Sequence, residues 1–317
     1  MRLVCADGEP QYHAMLAEEQ LARMRADGHE LAWFDGVPDT VEGWIERLRG
    51  ADGLLLLWSL PRGVIASSPQ LRVVSFAGTG VEMYVDLDEA RAGGVTVCNV
   101  PRYGANAVAE HALALILAVA RRVPDGDREI RAGSWEQTQG VELRGRRLGV
   151  VGAGPVAARV IELGKALGMN IVCWTRRRSA ERERELGARL VELDELFATS
   201  DVVSLHLAHL PETEGIVDRR LLALLQPQAI LVNTARGALV DEHALAELLD
   251  AGAIRGAGLD VLGTEPPPDD HPLLHCQRAV LTPHVAFNTA ESSRELVRIT
   301  LENLLAFATG APQNVRG

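Results

Sequence analysis

Gly149-Val150-Val151-Gly152-Ala153-Gly154-Pro155-Val156-Ala157-Ala158 is the stretch on which the reading of this chain turns. An apolar run from Leu148 leads into it, helical apolar spacing follows through Leu167, and a second apolar run, Ile171 to Trp174, comes next. Strand, tight turn, helix and strand form the setting in which a G-x-G-x-x-G/A pattern binds a dinucleotide. Gly152 permits the turn. Gly154 lets the backbone approach a pyrophosphate at the helix N-terminus, where free N–H groups and the helix dipole favour anions, and Ala157 takes the third position. Pro155 suits the first helical turn but has no N–H, which leaves Val156 as the main phosphate donor.

The end of the second strand bears on which dinucleotide. Twenty-three residues after Gly152, where an acidic residue would bond a ribose 2′-OH, stands Thr175, followed by Arg176, Arg177 and Arg178. With no carboxylate there, and guanidiniums able to fork onto a 2′-phosphate, the chemistry favours NADP(H) and leaves NAD(H) open. The competing reading is a solvated charge run leading into Glu181-Arg182-Glu183-Arg184.

Working outward, apolar runs alternate with helical patterns on both sides. Before the motif they are Arg2 to Cys5, Leu31 to Phe34, Leu54 to Trp58, Val73 to Phe76 and Val95 to Cys98, with helical spacing in Tyr12 to Ala26 and Val41 to Leu48. After it come Val202 to Leu205, Ile230 to Asn233, Gly256 to Leu259 and Val280 to Thr282. This is the signature of α/β architecture with doubly wound parallel sheets. The helix expected over Ala105 to Arg122 is apolar around most of its circumference, which predicts burial on more than one side, between domains or against another subunit. A last helix, near Ala290 to Phe307, has no sheet of its own and is expected to cross back to the first domain. One continuous domain is therefore inserted into a discontinuous outer one.

Composition excludes several chemistries. The chain has 317 residues, which allows about two domains of roughly 150 each. Its 32 basic residues include a single lysine, Lys165, so a lysine Schiff base, a P-loop lysine or a lysine acid/base would all have to use that one side chain. The net charge of −11 repels phosphate backbones and argues against nucleic acid as the partner. Cys5, Cys98, Cys173 and Cys276 never form a C-x-x-C pair, so neither a metal cluster nor a disulfide framework is expected, and buried reduced thiols in a cytoplasmic protein are. The N-terminus has no long apolar run of the secretory kind, and the longest apolar stretch, Ala112 to Ala120, is too short to span a membrane.

Three further segments carry a resemblance: Asn233-Thr234-Ala235-Arg236-Gly237-Ala238-Leu239-Val240-Asp241-Glu242, then Gly258-Leu259-Asp260-Val261-Leu262-Gly263-Thr264-Glu265-Pro266, then Leu281-Thr282-Pro283-His284-Val285-Ala286. With Gly78-Thr79-Gly80, Asn99-Val100-Pro101, Ala107-Val108-Ala109-Glu110-His111 and Asp270-His271-Pro272-Leu273, the chain from about residue 50 resembles the D-isomer-specific 2-hydroxyacid dehydrogenases, in particular glyoxylate and hydroxypyruvate reductases. The resemblance implies a Rossmann dinucleotide-binding domain, residues 100–285 with a dimerisation helix at 105–122, inserted into a flavodoxin-like substrate-binding domain, residues 1–99 and 286–317. It implies an active site of Arg236, Glu265 and His284, and the chemistry agrees. Reducing a 2-oxo acid needs a cation that holds its carboxylate and polarises its ketone, which Arg236 can do with a fork of donors. It also needs a proton for the developing alkoxide, which His284 can supply if a carboxylate such as Glu265 keeps the imidazole charged.

The same resemblance places the N–H groups of Thr79 and Gly80, next to Gly78, on the substrate carboxylate. Thr234, Ala235 and Asp260 fall on the nicotinamide side, with His206 as a neighbour of the cofactor. Trp58, Ser59, Phe76 and Phe287 are candidate walls for the substrate side chain, with Trp135 contributed by the second subunit of a homodimer. Two positions depart from the family's pattern, Ala208 in place of proline and Leu210 in place of threonine, beside the adenosine half of the cofactor. His111 and His271 read as structural. Alternatives are a β-hydroxyacid dehydrogenase, which would need a catalytic lysine between domains where this chain has none, phosphite or formate oxidation on the same scaffold, and a nucleotide-sensing, corepressor-like binding module.

Overall fold

A computed structural model describes residues 1–316; position 317, the end of the expected outer domain, lies outside the described residues. The chain divides into two units, residues 1–104 together with the segment from Asn288 on, and Ala105–Phe287.

In the first unit the chain runs β1 (Arg2–Gly8), α1 (Pro10–His13), α2 (Glu18–Ala26), β2 (Glu30–Asp35), α3 (Val41–Arg47), β3 (Gly53–Leu56), β4 (Val73–Phe76), α4 (Leu87–Ala92) and β5 (Thr96–Cys98). All neighbouring strands are parallel, in the order β2-β1-β3-β4-β5. Two expectations shift. The helical pattern of Tyr12 to Ala26 forms as two helices, because the intervening Met15 and Leu16 turn to pack against the core around Leu3 and Leu301. The third strand ends at Leu56 and not at Trp58, because the N–H groups of Leu57 and Trp58 go to the carboxylate of Asp7.

The second unit runs α5 (Ala105–Arg121), α6 (Val123–Arg131), β6 (Arg147–Val151), α7 (Pro155–Ala166), β7 (Asn170–Trp174), α8 (Ala180–Leu186), β8 (Arg189–Leu190), α9 (Leu193–Thr199), β9 (Val202–Leu205), α10 (Arg219–Leu222), β10 (Ile230–Asn233), α11 (Glu242–Asp250), β11 (Gly256–Leu259) and β12 (Ala279–Leu281). Its seven strands are parallel in the order β12-β11-β10-β9-β6-β7-β8. After β6 the chain winds first to β7 and then back across to β9, so the strand order reverses beside β6, and ligands of such sheets bind outside the carboxyl ends of the strands there. Strand β8, two residues long at the sheet edge, was too short to be expected from periodicity.

Helix α5 packs on β10, β11 and α7. Glycines in β11 allow the close approach: a Cβ at Gly258 would lie 2.8 Å from that of Leu115, and one at Gly256 2.8 Å from a methyl of Val119. The helix stops at Arg121 because Arg122 takes a left-handed conformation, φ 54°, and Pro124 then starts α6 on a new axis. Within the chain, α5 buries one face and leaves Glu110, Ala114, Leu117 and Arg121 as an exposed stripe. The last helix, α12 (Ala290–Ala308), covers β3 and β4 of the first unit, as its lack of a sheet of its own anticipated.

Candidate active site

Gly152 adopts φ 120°, and a Cβ there would overlap the carbonyl of His206, so only glycine fits between β6 and the end of β9. Its N–H is tied to the Trp174 carbonyl at 2.8 Å. Gly154 is the N-cap of α7, and a Cβ built on it would meet nothing within 4 Å, which leaves open space in front of the helix N-terminus. Ala157 is fully buried where the helix crosses the sheet. The Thr234 hydroxyl is buried without a hydrogen-bond partner among the described residues. An open glycine cradle at a helix N-terminus and an orphaned hydroxyl at the end of β10 fit a dinucleotide laid across the strand ends.

Thr175 is buried after β7 and three exposed arginines follow it. Arg176 is paired with Glu212 and Arg178 with Glu192, whereas Arg177 has no ion pair among the described residues. His206 bonds the Ser204 hydroxyl through Nε2 at 2.8 Å, and burial of its ring pushes the imidazole down to about 3, so it stays neutral. The loop holding Ala208 and Leu210 is closed by Thr213, whose hydroxyl donates to the Ala208 carbonyl and accepts from the Leu210 N–H, each at 2.8 Å. Lys165 lies on α7, its ammonium on the Leu186 carbonyl at the end of α8.

Arg236 follows β10 through a side-chain turn. The Asn233 carbonyl oxygen accepts from Ala235 N–H at 2.9 Å and its amide donates to the Arg236 carbonyl at 2.8 Å. The guanidinium is half-buried, touches its neighbour's Ala235 carbonyl and has no carboxylate partner among the described residues. Gly237 explains the Arg-Gly dipeptide: a Cβ there would overlap the backbone of Leu262 and Gly263, so the arginine turn and the Glu265 loop lie backbone to backbone.

The Glu265 loop is held from both sides. Glu265 accepts from Leu262 N–H at 3.0 Å, and Glu242, from α11, accepts from Gly263 N–H at 2.8 Å while pairing with His271 Nε2 at 3.0 Å. That second Glu–His pair gives His271 its structural work, and Glu242, though part of the Asn233–Glu242 segment, was given no role by the sequence. The other oxygen of Glu265 meets His284 Nδ1 at 2.6 Å. Among the described residues His284 is one of four non-glycine residues with positive φ, at 52°. Asp260, only 2 % exposed, enforces that conformation: its carboxylate accepts from Val285 N–H at 3.0 Å and Ala286 N–H at 2.9 Å, and from the Thr282 hydroxyl, which also meets His111 Nε2 at 2.9 Å. The Asp260 backbone carbonyl takes the His284 N–H at 2.8 Å. His284 thus presents Nε2 with no partner among the described residues, and its ring meets Phe287 edge to face with centroids 6.0 Å apart.

In the first unit, the Gly78-Thr79-Gly80 loop is braced by Asn99, which is fully buried and donates to the Thr79 carbonyl, and by Val100, whose N–H binds the Gly78 carbonyl at 2.8 Å. The N–H groups of Thr79 and Gly80 make no hydrogen bond among the described residues. Trp58 and Ser59 are exposed, and so is Trp135 in the second unit. Phe76, read as a candidate wall, is 4 % exposed and stacked on Tyr84 with ring centroids 4.8 Å apart, so it packs in the core of the first unit. All four cysteines are buried thiols. Among the described residues no helix is long and apolar enough to cross a membrane, and no group of His, Cys, Asp or Glu could hold a metal ion.

Comparison with known proteins bears on the family of the chain. Residues 113–286 match the model of the D-isomer specific 2-hydroxyacid dehydrogenase NAD binding domain. The glyoxylate reductase of Aeropyrum pernix is 39% identical over 295 residues, 89% of this chain and 88% of that one. The D-3-phosphoglycerate dehydrogenase of Archaeoglobus fulgidus is 39% identical over 251 residues, 78% of this chain but 47% of its own length, so the chain spans about half of such relatives. An acyclic imino acid reductase solved with NADPH and D-arginine superposes over the whole of both chains with a TM-score of 0.87 at 29% identity. A parallel α/β unit with a glycine cradle at the reversal of its strand order defines the class of dinucleotide-binding folds. Within it, the chain belongs to the D-isomer specific 2-hydroxyacid dehydrogenase family.

Proposed function

We propose that this protein transfers a hydride between a nicotinamide dinucleotide, NADP(H) in preference to NAD(H), and a small 2-oxo acid/(R)-2-hydroxy acid pair. The observation that carries the reading is His284, locked in a left-handed backbone by Asp260, bonded through Nδ1 to Glu265 and free at Nε2. When bound, the dinucleotide supplies the hydride. The chain's own residues hold and orient: Gly152, Gly154, Pro155 and Val156 cradle the pyrophosphate, Thr175, Arg176 and Arg177 take the 2′-phosphate, and Thr234, Ala235, Asp260 and His206 line the nicotinamide and strand-end side. Arg236, with no carboxylate partner of its own, takes the substrate's carboxylate and polarises its ketone. Glu265 holds His284 through Nδ1, so that Nε2 is the nitrogen that can give its proton to the developing alkoxide and recover it in the reverse direction. On the first unit, the N–H groups of Thr79 and Gly80 add donors for the carboxylate, and Trp58 and Ser59 face the side chain.

The unpaired Arg177 supports NADP(H), and Arg176 can exchange its surface partner Glu212 for a phosphate at little cost. The first unit is assigned to substrate and the second to dinucleotide. A homodimer built on α5 is supported by its exposed stripe and by Val123, Ile130 and Trp135, which stand exposed in the segment that follows. Four buried thiols support a cytoplasmic location. Mixing the protein with NADPH or NADH and a panel of glyoxylate, hydroxypyruvate, pyruvate and branched or aromatic 2-oxo acids tests the reading. Oxidation of NADPH with at least one acid is expected; none with any acid, together with no dinucleotide binding, overturns it.

A further inference from the structure

Two carboxylates are buried among the described residues, one in each unit, and they are used alike. Asp260, just past β11, accepts from the consecutive N–H groups of Val285 and Ala286 and so holds the His284 turn. Asp7, near the end of β1 and wholly buried, accepts from the consecutive N–H groups of Leu57 and Trp58, at 3.1 and 2.7 Å, just past the end of β3. Nothing in the reaction described above uses Asp7. A carboxylate is costly to bury in an apolar sheet end, and a neutral residue would serve the core better. Its one distinctive product is the path of the chain through Trp58 and Ser59. Those amides leave the strand ladder for Asp7, and the turn they form carries Trp58, 41 % exposed, out of the core.

We propose that Asp7 is a positioning residue for the substrate: its carboxylate clamps the Leu57 and Trp58 amides and thereby sets the Trp58–Ser59 turn against the side chain of the 2-oxo acid. This rests on the assignment of Trp58 and Ser59 to the substrate side. The two clamps differ in their support. Asp260 has a hydroxyl donor in addition to its amides, whereas among the described residues Asp7 has only its amides and the Cys5 thiol at 3.9 Å. Burial pushes the Asp7 carboxyl up to about 6, and the same burial drives the Cys5 thiol far above its usual range, so Cys5 remains neutral. Of the elements packed on β1, β3 brings no charged side chain. The second strand, β2, brings Asp35, bonded to Trp33, and α3 brings Arg47, held by the carbonyls of Ala6 and Gly36. None of these is bonded to Asp7. The clamp therefore loosens as pH falls through about 6, when the carboxylate gains a proton and ceases to attract both amides.

Asp7→Asn and Asp7→Glu, compared with the native chain in acrylamide quenching and in steady-state kinetics, test this. The Trp58 signal, taken as the difference from a Trp58→Phe chain, should become more quenchable below about pH 6 in the native protein and show no such transition in Asp7→Asn. For the best 2-oxo acid, Asp7→Asn should raise KM about tenfold while kcat and NADPH affinity stay within about threefold, with Asp7→Glu in between. A folded Asp7→Asn chain with native KM and native pH dependence overturns the role, as does a transition at Trp58 that leaves KM unmoved. If Asp7→Asn does not fold, flat quenching of Trp58 in the native chain between about pH 5 and 7.5 overturns the clamp by itself. If no acid is turned over, the assigned reaction fails, while the quenching arm still decides whether Asp7 holds the turn.

Discussion

His284 shows how much of a site can rest on one residue's surroundings. Its positive φ costs of the order of 1 kcal/mol, which the two amide bonds to Asp260 and the bond from the half-buried Thr282 hydroxyl offset. His284→Gln keeps the turn but removes the transferable proton, so kcat should fall by roughly two to four orders of magnitude with NADPH affinity unchanged, as read by single-turnover kinetics and fluorescence titration. Arg177→Ala should weaken NADPH at least tenfold and leave NADH nearly unaffected, because only NADPH carries the 2′-phosphate that a guanidinium would fork; equal effects on both would return the arginine run to the solvated surface. The residues of these predictions were legible in the sequence as types at fixed spacing. Their supports were not: Asp7 meets amides fifty residues away, and Glu242 meets His271 across a loop.

At the scale of elements, the close approaches are made by glycines. Gly237→Ala would drive a methyl into the Leu262–Gly263 backbone, and separating those two turns should cost roughly 2–4 kcal/mol and pull Arg236 away from the Glu265 loop. Chemical denaturation measures the first effect and KM for the 2-oxo acid the second. Strand ends were the least legible feature. Apolar runs gave the middle of every strand but β8, the edge strand with only two residues to show, and β3 stopped two residues early because a side chain captured its amides. Likewise, the left-handed Arg122 that redirects the chain after α5 carried no signal.

For the whole molecule, pH acts through two buried groups of opposite sign. His206, with its folded value near 3 well below the ordinary 6.5, contributes stability that is present above pH 6.5 and is lost as pH falls below it, at up to about 1.4 kcal/mol per unit. Asp7, raised from 3.8 to about 6, contributes stability that is full below pH 4 and is lost as pH rises through 6, so its ionised form costs at most about 3 kcal/mol at neutral pH. Urea unfolding at about pH 5 and 7.5 should therefore show an acid loss that disappears in His206→Gln and grows in Asp7→Asn. The exposed stripe on α5 leads to a further expectation. Leu117→Arg should shift the sedimentation coefficient from dimer to monomer, and Trp135→Ala should raise KM without that shift if the indole serves a neighbouring subunit.

The sequence by itself determined the architecture and marked the proposed reacting groups. Periodicity is local, glycine and proline act on their own φ, and an arginine, a glutamate and a histidine bring their chemistry wherever they stand. Tertiary structure alone decided which nitrogen of His284 is free, which arginine of the run is unpaired, and which buried aspartate steers which turn. Each of these is a contact between segments far apart in the chain, whose partners are chosen by sheet order and by the exclusion of water.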